Sequence, residues 1–326
     1  MTNWGLIARA ESDRGLGVLT RLMYSHLSPD RTLLVTVDHQ YVQETSAFPD
    51  ATLVPFTGEL DERVVKEWLD GLDVVVSCET FYDWRVIGWA RELGVKTILY
   101  VMPEFLKAEN PQPDAYWYPS SWRLDKCPTG VLLPVPCETR QFVDLPDPTG
   151  PVKFLHVAGK PALGDRNGTQ IVVEAVRRAR SPIHFTTYGQ GLDRPQRLPH
   201  WHRVEPGPTN KWEMYESAHV LVLPRRFGGL SLPVIEALAC GLAVVMTNVN
   251  PNTDWPIVPI EANVGRKYEM PCGKVTTYDA TLDDLGRLLA VLKNPAPTTN
   301  AMTAARAWAT NNTWDLKRGD FLRALG

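Results

Sequence analysis

Short apolar runs alternate with stretches whose apolar residues recur every three or four positions, beginning at the first residues of the chain. This is the pattern of strands joined through helical crossovers into a parallel sheet. In the first half it predicts strands over 4–8, 32–37, 74–78, 97–101 and 115–118, with helices over 16–27, 63–69 and 84–93. A further apolar run at 131–136 leads into 144–152, which reads Asp-Leu-Pro-Asp-Pro-Thr-Gly-Pro-Val and is dense in turn formers. A second series then begins: strand 153–158, helix 168–178, strand 183–188, helix 211–217, strand 220–223, helix 232–239 and strand 243–247. A helix over 281–292, a Pro-rich break at 294–298 and one or two closing helices over 301–325 complete the pattern. The fold class expected is α/β, with two Rossmann-like, doubly wound parallel-sheet domains over 1–146 and 147–305 and a terminal helix over 306–326. In such sheets ligands bind beyond the carboxyl ends of the strands, and two such domains facing across a cleft would offer a small-molecule site.

Composition narrows the picture. The 326 residues are 44% hydrophobic and 22% charged, enough for two substantial cores and too apolar for long disordered tails. Lys and Arg number 34 against 37 Asp and Glu, a net charge of −3, so no basic excess announces a nucleic-acid partner. No segment has the length and apolarity of a membrane span, and the opening residues lack a secretory pattern, so a cytoplasmic location is expected. Cys78, Cys127, Cys137, Cys240 and Cys272 are odd in number and widely spaced, which suggests reduced thiols rather than a disulfide framework or a zinc site.

The most informative chemistry lies in 218–245, a buried strand ending at Pro224, a loop with adjacent glycines, and a helix carrying Glu236. Gly228 and Gly229 let backbone approach a ligand, and amides there and at Leu230 and Ser231 suit phosphate oxygens. A carboxylate at Glu236 can accept two hydrogen bonds from a ribose. The plainer alternative is a Gly-rich connection with Glu236 as a solvated helix residue.

Signals elsewhere are thinner. Gly15 and Gly17 follow the first strand and can approach donor phosphates or an acceptor, but they lack the third glycine of the dinucleotide fingerprint and equally suit a tight strand-to-helix turn. Glu79, Asp83 and Glu104 stand at later strand ends, where each can orient or deprotonate an acceptor hydroxyl, or serve as a cap. Phe81, Tyr82, Trp84, Trp117 and Trp122 can stack on a sugar or base, with core packing the safer expectation. His200-Trp-His202 reads as a loop rather than a metal site, Gly159-Lys160 lacks the rest of a phosphate loop, and no Asp-x-Asp is present, so no metal site is expected.

Residues 218–245 resemble the donor-binding segment of the retaining glycosyltransferases of family 4, in which a strand ending in Pro, a loop and Leu-Pro-x-x-Glu-Ala follow one another. The resemblance extends to Phe154-Leu-His-Val-Ala-Gly-Lys160, Arg166-Asn-Gly-Thr169, Glu174-Ala175, Tyr188-Gly-Gln-Gly191, Glu205-Pro-Gly207 and 212–224. Leu133–Phe142 resembles the family's interdomain segment and Asn311–Asp315 its crossing C-terminal helix, so nearly all of 130–325 is covered. It implies a GT-B fold, a donor domain in the second half and an acceptor domain in the first, and no catalytic metal. It places Lys160 and Arg166 on the donor diphosphate, with Asn167 competing for the second alignment, and Glu236 on the ribose.

The chain departs from that pattern at one point. The family usually carries glutamates eight positions apart, and counting back from Glu236 reaches Gly228. The loop Gly228–Ser231, or Arg225 and Arg226 meeting a charged donor, would have to serve instead. Relatives also often carry a histidine near Pro103 or Glu104, which is absent here.

The resemblance further implies a UDP-sugar or GDP-sugar donor, no separate cofactor, and transfer with retention by front-face displacement. The acceptor expected is a glycan, lipid or small molecule, with peripheral membrane contact possible in the lipid case. Two other readings stay open: a phage-type enzyme acting on a hydroxymethylated DNA base, and a nucleotide-sugar binding protein without turnover, prompted by Gly228. A nicotinamide-dependent dehydrogenase is weaker, for want of a full glycine fingerprint.

Overall fold

The structure is a computed structural model and describes residues 2–11, 15–37, 44–159, 164–179, 182–189, 202–205, 208 and 210–326. Its contacts divide the chain into two compact units, Met1–Pro134 with Asp315–Gly326, and Val135–Trp314.

In the first unit the strands are β1 (Trp4–Arg9), β2 (Arg31–Val37), β3 (Thr52–Phe56), β4 (Val74–Cys78), β5 (Lys96–Tyr100), β6 (Ala115–Tyr118) and β7 (Val131–Leu132). The connecting helices are α1 (Gly15–Leu27), α2 (Glu62–Leu69) and α3 (Val86–Glu92). Among the described residues they form one parallel sheet in the order β3-β2-β1-β4-β5-β6-β7. Crossovers leave β1 toward β2 and later return to β4 on its other side, so the carboxyl ends of β1 and β4 flank the point where the winding reverses. The central strands are mainly apolar because both faces are covered: every residue of β4 is buried, Ser77 included. Helix α2 starts where Asp61 accepts the Val64 amide at 3.2 Å, an N-cap that fixes the entry of its apolar stripe, Val65, Trp68 and Leu69.

The second unit repeats the architecture. Its strands are β8 (Lys153–Val157), β9 (His184–Tyr188), β10 (His202–Glu205), β11 (Val220–Val222), β12 (Ala243–Thr247) and β13 (Ile257–Ile260), followed by β14 (Ala262–Met270) and β15 (Gly273–Ala280). Its helices are α4 (Thr169–Arg177), α5 (Trp212–Glu216), α6 (Leu232–Ala239), α7 (Leu282–Leu292) and α8 (Pro295–Asn311); α9 (Trp314–Leu325) ends the chain. The parallel order is β10-β9-β8-β11-β12-β13, so β8 and β11 flank the reversal, while β14 and β15 pair as an antiparallel ribbon. His156 on β8 is fully buried and ties three elements together. Its Nδ1 donates to the Val222 carbonyl at 2.8 Å, which leaves Nε2 to accept the Thr169 hydroxyl at 2.9 Å. Burial holds this imidazole neutral, its pKa lowered to about 4.

Helix α9 belongs to the first unit, where Phe321 packs edge-on against Tyr100 and Trp117, with ring centroids 6.1 and 5.9 Å away. None of the five cysteines is in a disulfide. Among the described residues no helix is long and apolar enough to cross a membrane.

Several expectations change. The division between units falls after Pro134 rather than within 144–152, because the chain beyond it already bonds to the second unit: Cys137 N donates to Asn312 O at 2.9 Å and Val143 N to Cys240 O at 3.0 Å. Strands β3, β13 and the β14–β15 ribbon are additions to the expected pattern. The Pro-rich stretch 294–298 is the first turn of α8 instead of a break, since Asn294 is extended at the N-cap and Pro295 needs no amide partner there. His202 opens a strand rather than lying in a loop. Its Nε2 meets Thr187 Oγ1 at 2.9 Å, and burial, with the His156 charge second, lowers its pKa to about 4, so it is a core residue; His200 lies outside the described residues.

Candidate functional site

At the carboxyl end of β11 the chain turns through Pro224–Leu230 into α6, with Ser231 extended at the N-cap and Pro233 in the first turn. Gly228 adopts φ +107°, a region that disfavours any residue with a Cβ, and it is buried together with Gly229; Leu230 is half-buried. The loop is held from several sides. Arg226 N donates to Arg166 O at 2.9 Å, Tyr278 N donates to Arg226 O at 3.0 Å, and Thr247 Oγ1 donates to Arg225 O at 2.5 Å. Asn252, buried, adds Nδ2 contacts to Thr247 Oγ1 at 2.7 Å and Thr247 O at 3.1 Å.

Glu236 sits within α6 with its side chain 12% exposed. Its Oε1 takes Lys211 Nζ at 2.5 Å and its Oε2 takes the Tyr215 hydroxyl at 2.7 Å, both from the α5 segment. The carboxylate is therefore fixed in one orientation, and each oxygen keeps acceptor capacity for a second donor. Burial, followed by the charge of Glu236, pushes the Tyr215 phenol well above its ordinary range, so it stays a donor at any working pH. Lys211 also lies 4.8 Å from the Trp212 ring, which limits where its ammonium can go. Neither partner of Glu236 was apparent in the sequence, because they lie 25 and 21 residues away on another helix.

Arg166 and Asn167 separate cleanly. Asn167 Nδ2 donates to Val157 O at 3.0 Å and so braces the end of β8. Arg166 reaches the glycine loop: Nε donates to Phe227 O at 3.3 Å, and the guanidinium carbon lies 5.7 Å from the Phe227 ring centroid. Asp165 caps α4 through the amides of Thr169 at 2.7 Å and Gln170 at 3.1 Å. Lys160 lies outside the described residues. Arg226 is engaged otherwise, with Nε on Asp279 Oδ1 at 2.5 Å and Nη1 on Gly164 O at 2.6 Å. The β14–β15 ribbon thereby joins the loop, and Tyr268 stacks on Phe227 at 5.4 Å.

In the first unit the expected residues gather beyond β1, β4 and β5. Gly15 opens α1 at the surface, whereas Gly17 is buried with the Glu11 carbonyl oxygen directly over its α-carbon, so the close approach there is internal. Glu79 and Tyr82 both adopt left-handed backbone, φ +64° and +65°, placing local strain immediately after β4. Arg9, Glu11, Glu79 and Cys78 act electrostatically on Tyr82, whose guanidinium neighbour Arg9 lies 5.9 Å from its ring and pairs with Glu11 Oε1 at 2.7 Å. Glu11 was not singled out in the sequence; its burial at 2% exposure is the signal that only the fold supplies.

Asp83 is placed differently from a proton-transfer group. Burial would raise its pKa, but hydrogen bonds from Arg85 and from the amides of Leu60 and Arg85 outweigh it and hold the carboxyl below its ordinary range. Arg85 Nη2 approaches at 2.6 Å and Leu60 N at 3.1 Å, so the geometry suits holding the loop. Glu104 is buried in the turn after β5, and Glu79 is half-buried. Phe81, Trp117 and Trp122 are core residues, while Trp84 packs edge-on against Phe81 at 5.8 Å.

Residues 153–256 match the family model described as glycosyl transferases group 1. No curated protein matches the chain. Among solved structures, the apo form of the lipopolysaccharide outer core galactosyltransferase WaaB superposes with a TM-score of 0.66 at 9% identity, covering 99% of each chain. Sucrose-phosphate synthase from Thermosynechococcus elongatus gives 0.66 at 13% identity, covering 100% of this chain and 99% of that one. Anabaena HepE, in complex with UDP and glucose, gives 0.66 at 8% identity over 98% and 99%. The architecture is the GT-B fold. Together with the family match over 153–256, it supports nucleotide-sugar glycosyl transfer.

Proposed function

We propose that the protein is a retaining glycosyltransferase of the family 4 type, taking its sugar from a nucleoside diphosphate donor bound by the second unit. The observation that carries this reading is the fixed carboxylate of Glu236, oriented by Lys211 and Tyr215 about one turn into the helix that follows the glycine loop. Glu236 accepts the ribose hydroxyls, the loop Gly228–Ser231 meets the diphosphate and sugar, and Arg166 with Lys160 neutralises the diphosphate.

UDP is the nucleotide to try first, because HepE, which shares the fold, holds UDP or UDP-glucose in its solved complexes. The acceptor is a glycan, lipid or small molecule bound by the first unit, in which Glu79 and Glu104 orient its hydroxyl. That hydroxyl attacks the anomeric carbon on the face the diphosphate leaves. The bond from the anomeric carbon to the phosphate oxygen breaks, and the hydroxyl proton passes to the departing phosphate. Arg166 stabilises the negative charge that grows there.

A panel of UDP- and GDP-sugars tests the reading, scored for thermal stabilisation and slow donor hydrolysis in the parent and in Glu236→Ala. Stabilisation by one donor that weakens in the variant supports it. Indifference to every donor rejects it.

A further inference from the structure

The β14–β15 ribbon packs against two separate segments at once, the turn that carries Arg166 and the glycine loop. Tyr268 of β14 stacks on Phe227 of the loop, with ring centroids 5.4 Å apart and 28° between the planes. The same ring lies over Gly164, where a Cβ would come within 2.6 Å of its Cε2. Gly164 leaves that room at φ +67°, two residues before Arg166. Phe227 is 4% exposed and is also the residue on which Arg166 rests, through the hydrogen bond to its carbonyl and the ring 5.7 Å from the guanidinium carbon. A polar connection runs beside the stack. Arg226 spans from the loop to Gly164 O and Asp279 Oδ1, and Tyr278 N donates to Arg226 O. A bulge between Val264 and Lys267 sets Gly265 against Asp279, where a Cβ would overlap the carboxylate, so glycine leaves Asp279 room to face Arg226.

We propose that the ribbon positions the groups that bind the donor diphosphate, with Tyr268 and Asp279 as positioning residues that hold Arg166 and the glycine loop in one arrangement. The proposal rests on the donor reading above, which puts Arg166 on the diphosphate. Arg166 and the loop arrive from different crossovers, after β8 and after β11, and the sheet by itself fixes only where each leaves its strand. A guanidinium binds two phosphate oxygens well when its plane is already set, and setting it before the ligand arrives removes an ordering cost from binding. Tyr268 does this through Phe227, since a ring free to turn gives Arg166 no fixed surface. Asp279 does it through Arg226, which ties the chain at Gly164 to the loop. Glu236, the ribose partner, is held separately by Lys211 and Tyr215 from the α5 segment, so the ribbon acts on the phosphate part of the site and leaves the ribose part alone.

Binding of UDP and of uridine to the whole protein tests this, UDP by calorimetry and uridine by ligand-observed NMR titration, in the parent, Tyr268→Ala, Tyr268→Phe and Asp279→Asn. GDP and guanosine replace them if the parent prefers guanine. Uridine carries the ribose and no phosphate, so a role confined to general packing would weaken both ligands together. The expected result is a Kd for UDP about tenfold higher in Tyr268→Ala and several-fold higher in Asp279→Asn, with the Kd for uridine within about twofold of the parent in both. Tyr268→Phe keeps the stack and should return parent values. Should Tyr268→Ala fail to fold by circular dichroism, Asp279→Asn decides, since that side chain is 42% exposed and its loss opens no core. Equal loss of UDP and uridine affinity, or no loss of either, overturns the positioning role and leaves the donor reading intact. A parent that binds neither UDP nor GDP overturns both.

Discussion

The carbonyl oxygen of Glu11 lies so close over the α-carbon of Gly17 that a methyl group there would overlap it. The turn from β1 into α1 therefore requires glycine for internal packing, whatever ligand it also approaches. Gly17→Ala is expected to lose about 1–3 kcal/mol of stability as the turn is pushed off the helix. Urea unfolding of the parent and variant measures it, and an unchanged midpoint would show that the turn yields freely.

The buried, neutral His156 makes stability depend on pH. Its folded pKa, about 4, lies below the ordinary value near 6.5, so above pH 6.5 both folded and unfolded states are uncharged there and nothing is lost. As pH falls from 6.5 toward 4 the unfolded state takes up a proton that the folded state refuses, and stability drops by about 3 kcal/mol from this group. His156→Gln keeps a donor for Val222 and an acceptor for Thr169 without the titration. Denaturant unfolding at pH 7 and pH 5 should show a smaller decline in the variant than in the parent, and equal declines would assign the effect elsewhere.

Asp83 separates a loop-holding role from a catalytic one. Its carboxyl, held below the ordinary range by Arg85 and two amides despite burial, contributes stability above the unfolded pKa that is lost as pH falls through the folded value. Asp83→Asn is expected to lower stability by about 1–3 kcal/mol through the weakened Arg85 and Leu60 contacts. Donor hydrolysis, scored per folded molecule, should survive within a few fold. A loss of a hundredfold or more in a folded variant would restore Asp83 to the chemistry.

Much of this was legible in the chain. The strands β4 and β6 have the bounds that the apolar runs predict, because a strand covered on both faces is built mainly of apolar residues. Edge and ribbon strands carry no such mark. In β3, Thr52, Leu53 and Pro55 are exposed, and β14 carries Asn263, Arg266, Lys267 and Glu269 with none of its residues fully buried, so neither forms an apolar run.

The site divides in the same way. Glu236 and the adjacent glycines stand out by local spacing, and Arg166 by resemblance. Lys211, Tyr215 and the buried guanidinium of Arg225 reach the site only through packing between α5, α6 and the ends of the strands, over separations that periodicity does not register. Asp83 looked like an acceptor-facing acid for a related reason, since the donors that occupy it, on Leu60 and Arg85, are set by the fold.

The most direct test of the donor site is the affinity of UDP for the parent and for Glu236→Ala, measured by calorimetry in the same buffer. The account predicts saturable binding to the parent and a Kd about tenfold or more higher in a folded Glu236→Ala, since two hydrogen bonds to a charged group are lost. Equal affinity in the two proteins, or no binding to the parent by UDP or GDP, would contradict it.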